Sequence, residues 1–257
     1  VFLKSNLGGT LVINRNLNLN RDLHLKNIYN ITIEGLRDSD STRSEFASTI
    51  NLLEGANSII FEQFNKLKIK NLKIVDQKGV RDNIKTLEFF NGYDINIDNI
   101  SISTNSGINS KAISLGRGTG ATCVFLGQIS NISTYQENGG EAIRSNETNT
   151  SLTFSKCYAR GGSFTMNGTV YSTMINCATD GSKTNGYLFK GSSNGYLNSF
   201  SLVSCGAEVA QLSAIKVESG VVGLSVIGGF HSGANKRIVD TDASYATQIG
   251  SLITTEI

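Results

Sequence analysis

Proline and tryptophan are absent from the 257 residues, and histidine (2), methionine (2) and cysteine (4) are scarce. Beside those gaps stand 39% hydrophobic residues, 8% aromatics and 27 glycines. That composition belongs to an ordered chain of strands and glycine turns and excludes a disordered one. Charge of one sign is also missing. Lys+Arg number 23 and Asp+Glu 21, a net +2, so nothing forms the concentrated basic footprint of a nucleic-acid binder. No apolar run approaches the roughly 18 to 20 residues that cross a bilayer, and no charged-then-apolar leader opens the chain. Membrane insertion is therefore not expected.

Cys123, Cys157, Cys177 and Cys205 show no CxxC spacing and have no neighbouring histidine. Metal binding and thioredoxin-like chemistry are disfavoured, and buried free thiols are expected. His24 and His231 lie at opposite ends, which argues against histidine-based chemistry. No Asp cluster of the calcium-binding kind occurs on one strand, so no metal or other cofactor is expected. Six Asn-x-Ser/Thr sites begin at Asn30, Asn99, Asn131, Asn146, Asn149 and Asn167. Several fall inside strand patterns that leave no room for a glycan, which argues against a eukaryotic secreted origin.

What is present is a repeat. Ile59 to Ile74 (IIFEQFNKLKIKNLKI) aligns with Leu87 to Ile102 (LEFFNGYDINIDNISI) at a constant offset of 28 residues. Within each copy LxI and IxI alternate with period two, the mark of a half-buried strand. Further first strands are expected near Ile113, Ile143, Phe164, Leu188 and Ile215. A second column runs through Asn71-Leu72, Asn99-Ile100, Asn131-Ile132, Lys156-Cys157, Asn176-Cys177 and Ser204-Cys205. Each step has the length of one coil of a three-sided parallel β-helix, whose like residues stack roughly 4.8 Å apart. Stacked Asn side chains would then hydrogen-bond up and down a bend, with Leu, Ile and Cys filling the interior. Two-residue hairpin turns are few; the chief exception, Asn91-Gly92, aligns with Gln63-Phe64, which is no turn. The fold class expected is all-β, a right-handed parallel β-helix in a single domain over 1–257. The polar segment RDSDSTRSEFAST (37–49) reads as an insert covering one flank. An opening at Val1 inside a strand pattern and a close at Ile257 in an apolar stretch suggest an excised fragment.

The run KSNLGGTLVINRNLNLNRDLHLKNIYNITIEG resembles the opening coils of pectin-lyase-like phage tail proteins. The run NCATDGSKTNGYLFKGSSNGYLNSFSLVSCGAE (176–208) resembles the late coils of phage tailspikes and preneck appendages. The resemblance implies a homotrimer of β-helices in a virion tail, contacting a bacterial surface polysaccharide at the outer face of the host and often cleaving it. It carries over no catalytic residue by motif.

Candidate residues therefore come from the repeat. Loops after the second strands should stack, bringing Asp76, Asp82, Glu137, Glu141, Asp180 and Glu208 into one acidic stripe. Glycoside hydrolysis needs a carboxylic acid and a carboxylate roughly 5 to 9.5 Å apart, which neighbouring coils can supply. Asp180 and Glu208 each lie three residues past a column cysteine and form the preferred catalytic pair; a plain turn role competes, since Asp180-Gly181 has a turn signature. Glu137 and Glu141 flank a Gly-Gly step in YQENGGEAIR and are the next candidates, against a plain loop role. Arg144 and Arg160 are candidates to neutralise an acidic sugar. Tyr135, Tyr158 and Tyr187 are candidates for sugar stacking, and keep a Tyr/Arg lyase open. A non-catalytic receptor-binding or structural appendage fits the same fold, which cannot decide between the two.

Overall fold

In the computed structural model, residues 8–36, 46, 48–76, 78–105, 107–117, 122–146, 148–191, 197–232, 237–241 and 249–252 are described. Of the polar insert, residues 37–45 and 47 lie outside these, as do 1–7 of the opening run and most of the tail. The described residues form 22 strands and no helix, and every ladder is parallel.

Each coil has three sides, and in the long strands individual residues with positive φ bend the chain from one side to the next. The strand Ile59–Asp76 is bent at Gln63 (φ 55°), Lys66 (φ 56°) and Asn71 (φ 60°). Lys85–Thr104 repeats this at Asn91 (φ 55°), Asp94 (φ 58°) and Asn99 (φ 53°). The left-handed region is costly for most side chains and least so for Asn and Asp, which explains the asparagines at these bends. The corner between second and third sides continues through Asn131, Lys156, Asn176 and Ser204, all with φ of 50–53°. This is the column read from the sequence. Its hydrogen bonds form in part: Asn99 Nδ2 donates to Asn71 Oδ1 at 2.9 Å, whereas Asn131 Nδ2 turns to Asp98 Oδ1 at 2.7 Å.

The repeat of 28 is a true register. Ile59 faces Leu87, Leu67 faces Ile95, Leu72 faces Ile100 and Ile74 faces Ile102. Between corners, alternate residues point inward and stack along the axis. On the second side one column runs Ile33, Ile69, Ile97, Ile129, Phe154, Met174, Leu202, Val226, every member buried. Fully burying such a side chain contributes roughly 1.5–3 kcal/mol, so eight rungs of one column already hold the coils together. Cys157, Cys177 and Cys205 occupy adjacent interior rungs as free thiols, as expected. The hydrogen bond with Cys157, and burial after it, push the Cys177 thiol up to about 12 against the opposing bond with Cys205, so it stays protonated.

One expected register is off by a residue. The first-side column runs Ile59, Leu87, Ile113, Ile143, Phe164, Tyr187, Ile215, with Tyr187 where Leu188 was expected. A one-residue slip exchanges the two faces of a strand. Tyr187 therefore enters the core at 0% exposure, and its hydroxyl donates to Cys177 O (2.8 Å) and Gly206 O (2.9 Å).

Candidate functional site

On the third side, outward rungs alternate with the inward set Ile74, Ile102, Thr134, Ala159, Thr179, Ala207. One outward column reads Ser103, Tyr135, Arg160, Asp180, Glu208, Ser232. Asp180 and Glu208 are direct register partners, so their Cα atoms sit one strand spacing apart, about 4.8 Å. The next column reads Ser133, Tyr158, Ala178, Gly206. It continues to Phe230, whose carbonyl accepts from Ala207 N at 2.9 Å. Tyr158 (41% exposed) and Phe230 (42%) thus bracket a floor of two small residues, with both carboxylates along one edge.

Specific contacts tie this face together. The Tyr158 hydroxyl donates to Asp180 Oδ2 at 3.2 Å. The Arg160 guanidinium carbon lies 5.9 Å from the centroid of Tyr135, within cation–π reach. Burial and the negative charges of Asp180 and Glu208 raise the Tyr158 phenol above its ordinary value. Phe230 went unnoticed in the sequence; its place directly before His231, at the end of the NCA–SCGA rhythm, was the available signal.

Tyr135, Tyr158, Arg160, Asp180 and Glu208 therefore share one face. The remaining candidates do not join them. Asp76 shares the inward rung of Thr104 and Gln136, is 1% exposed, and pairs with Arg81 (2.8 Å) and Lys78 (3.6 Å). Asp82 Oδ1 accepts from Asn109 N in the corresponding connection of the next coil. Glu137 lies past the end of its strand beside a polar hollow of about 200 Å³ that Tyr135, Asp76 and Ser103 also line. Glu141 begins the next first-side strand, Glu141–Ser145, and Arg144 stands on that strand's outer face. Tyr187 is a core residue, for the register reason above, and cannot meet a sugar. The single acidic stripe is thus cut to two members, because Asp76 takes the inward rung of its strand and Asp82, Glu137 and Glu141 lie beyond the ends of the third-side strands.

The outer face of the first side holds a second cluster, which the sequence did not reveal. Glu88, Ser114, Arg144 and Thr165 are successive rungs, and Lys85, Lys111 and Glu141, which open the first three of these strands, belong to the same cluster through ion pairs. Glu88 is 4% exposed; Arg117 folds over it with Nη2 and Nε at 2.8 and 3.1 Å from its two oxygens, and Lys85 closes the other side. Burial alone would raise the Glu88 carboxyl, but these hydrogen bonds outweigh it and hold the group below the ordinary value. The Arg117 guanidinium also stacks 3.7 Å from the Phe90 centroid. Arg144 Nη1 donates to both Glu141 oxygens (2.8 and 3.2 Å) and its Nε to Asn146 Oδ1 (2.6 Å).

No protein-family model and no curated protein matches the sequence. Solved structures do match. A Paenibacillus alginate lyase aligns over 92% of both chains with TM-score 0.62 at 13% identity. An endo-xylogalacturonan hydrolase from Aspergillus tubingensis aligns over 96% of this chain and 91% of its own with TM-score 0.56 at 9% identity. The fold is a right-handed parallel β-helix. At such identity the likeness speaks for the fold alone.

The two faces of this β-helix differ in chemistry. The third side offers two water-facing carboxylates, one cation and flat aromatic rings, a set able to hold a sugar and exchange protons with it. The first side carries a network of ion pairs in which Lys85, Lys111, Arg117 and Arg144 meet Glu88 and Glu141.

Proposed function

We propose that this β-helix binds a bacterial surface polysaccharide, capsule or O-antigen, along its third side and hydrolyses it with Asp180 and Glu208 as the two carboxylates. The observation that carries the reading is their strict register on adjacent coils of an exposed face. Carboxyl groups on neighbouring rungs approach the roughly 5–5.5 Å of retaining glycosidases more nearly than the wider inverting spacing. Asp180, held by the Tyr158 hydroxyl at 3.2 Å, is fixed for nucleophilic attack. Glu208, freely exposed, is placed to protonate the leaving oxygen. Arg160 and Tyr135 lie along the same column, and Tyr158 with Phe230 would stack on flanking sugar rings. The names of the two structural neighbours, which concern alginate and xylogalacturonan, agree with a polysaccharide ligand. A tyrosine-based lyase is the weaker chemistry, since a phenol raised by burial and two carboxylates is a poor base at neutral pH.

A second reading, a non-catalytic receptor-binding appendage, has its own support. Exposed Tyr29, Tyr93 and Phe125 line a shallow hollow of about 400 Å³ on another side, where Gln63, Asn65 and Asn91 add amides. Aromatic faces with amides beside them suit glycan adhesion without cleavage. In either reading the protein acts at the host surface as part of a virion tail, as a homotrimer. The test is incubation with purified capsular and O-antigen polysaccharides, with alginate and xylogalacturonan added to the panel. Shortened, saturated products support hydrolysis. Unsaturated products, seen by ultraviolet absorbance, point to a lyase, and binding without shortening across the panel leaves the appendage.

A further inference from the structure

The corner between the first and second sides carries the hollow of about 400 Å³ that Tyr29, Asn65, Tyr93 and Phe125 line. Three coils bend there at two residues of positive φ each, Asn27 and Asn30, Gln63 and Lys66, Asn91 and Asp94. Of the two residues enclosed by each pair, one is buried (Ile28, Phe64, Gly92) and the next is exposed (Tyr29, Asn65, Tyr93). The exposed ones are register partners in a column that continues to Phe125 and spans about 14 Å. Tyr29 (45% exposed) and Tyr93 (47%) stand one rung to either side of Asn65, about 9.6 Å apart. That separation leaves room between them for one more ring in van der Waals contact with both. The floor is apolar because Gly92 has no side chain: a β-carbon there would fall 2.0 Å from Cζ of Phe64, whose ring takes the space. The side-chain amides of Gln63, Asn65 and Asn91, which also line the hollow, have no hydrogen-bond partner among the described residues. No lining residue is charged, and the nearest cation at this corner, Lys66, has Asp94 on the next rung.

We propose that this hollow is a second glycan site, separate from the third side, that takes an uncharged sugar unit. Tyr29 and Tyr93 pack on the C–H faces of the ring, and the amides of Asn65, Gln63 and Asn91 bond its hydroxyls. An acidic unit finds no cation here to pair with, whereas the third side has Arg160. The inference rests on the polysaccharide reading for its class of ligand and not for cleavage, so the hollow holds a chain whether or not Asp180 and Glu208 cut one.

The experiment is titration of the whole chain with neutral hexasaccharides of glucose, mannose and galactose in α and β linkage, read by calorimetry and by tyrosine emission, which no tryptophan masks. At least one binds, salt does not weaken it, and polygalacturonate does not displace it. Tyr93→Ala weakens that binding about tenfold, the worth of one stacked ring, while Tyr93→Phe keeps it within about twofold. Asn65→Ala weakens it about fivefold, as loss of one hydrogen bond does. Tyr171→Ala, which removes an exposed tyrosine outside both sites, leaves it within about twofold. Absence of binding by every neutral hexasaccharide overturns the proposal. So does weakening by Tyr158→Ala in place of Tyr93→Ala, which puts the sugar on the third side, or a fall in oligomer mass by light scattering of Tyr93→Ala, which makes the hollow a subunit contact. The polymer-shortening assay keeps the two readings apart: hexasaccharide binding lost in Tyr93→Ala upholds this site even where wild type shortens no polymer, and shortening by a wild type that binds no neutral hexasaccharide removes this site alone.

Discussion

Replacing Tyr187 by phenylalanine separates a core role from a surface role at one position. The ring sits at 0% exposure between Phe164 (centroids 5.5 Å) and Phe189 (6.5 Å), so Phe retains all of its packing. What is lost is the hydroxyl that bridges Cys177 O and Gly206 O, carbonyls of two adjacent coils. Withdrawing a donor from buried acceptors costs about 1–2 kcal/mol. For a chain of this length that lowers the melting temperature by roughly 2 to 8 °C, at about 2–4 °C per kcal/mol. Calorimetric melting of Tyr187→Phe beside wild type measures it, and glycan affinity measured on the same samples should not change. An unchanged melting point with weakened glycan binding would refute both the register and the burial argued for this coil.

Asp180→Asn and Glu208→Gln each lower the cleavage rate by roughly 10²- to 10⁴-fold, as removal of an acid/base group does, while the melting curve is retained; full activity in both removes the pair from consideration. Asn99→Ala forces a β-carbon side chain without a local amide into φ 53° and breaks the bond to Asn71, at about 1–3 kcal/mol, whereas Asn99→Gly recovers the backbone part; urea midpoints of the two variants report the split. His231 is 4% exposed with neither ring nitrogen partnered among the described residues, and burial lowers its pKa from the ordinary 6.5. The unfolded chain then binds a proton that the folded chain refuses, so stability falls as pH drops below about 6.5, by at most about 1.4 kcal/mol per pH unit. Urea midpoints at pH 7.5 and 5.5 should differ more in wild type than in His231→Phe, and an equal difference would contradict this assignment.

The coil repeat could be read from the sequence because stacking demands like residues at like positions: Ile59 over Leu87 and Leu72 over Ile100 needed only an offset to be found. The left-handed corners at Asn71, Asn99 and Asn131 were legible for the same reason, since few residues tolerate that geometry. Tyr187 was misplaced because YLF holds two adjacent apolar residues, and either parity satisfies hydrophobicity; only the buried carbonyls awaiting its hydroxyl decide between them. Asp180 over Glu208 was legible from their equal distance to stacked cysteines. The cluster around Glu88 was not, because Arg117 reaches back across 29 residues from a connection that obeys no repeat. Yet Lys85, Lys111 and Glu141 all open first-side strands, and aligning strand starts for charge would have exposed them.

From Asn71 to Ser204 the second-to-third corner is one positive-φ residue in each of six successive coils, while the connections on either flank of the first side range from two residues (161–162) to eight (77–84). A corner made by a single backbone dihedral admits no insertion without shifting every rung above it; the flanking connections admit insertions freely. In those six coils changes of length are thereby channelled to the flanks of the first side and kept off the second-to-third corner, whereas the insert 37–49 occupies that corner in an earlier coil. A lineage built on this scaffold can reshape the flanks of the first side, coil by coil, while the register of the six stacked corners is preserved.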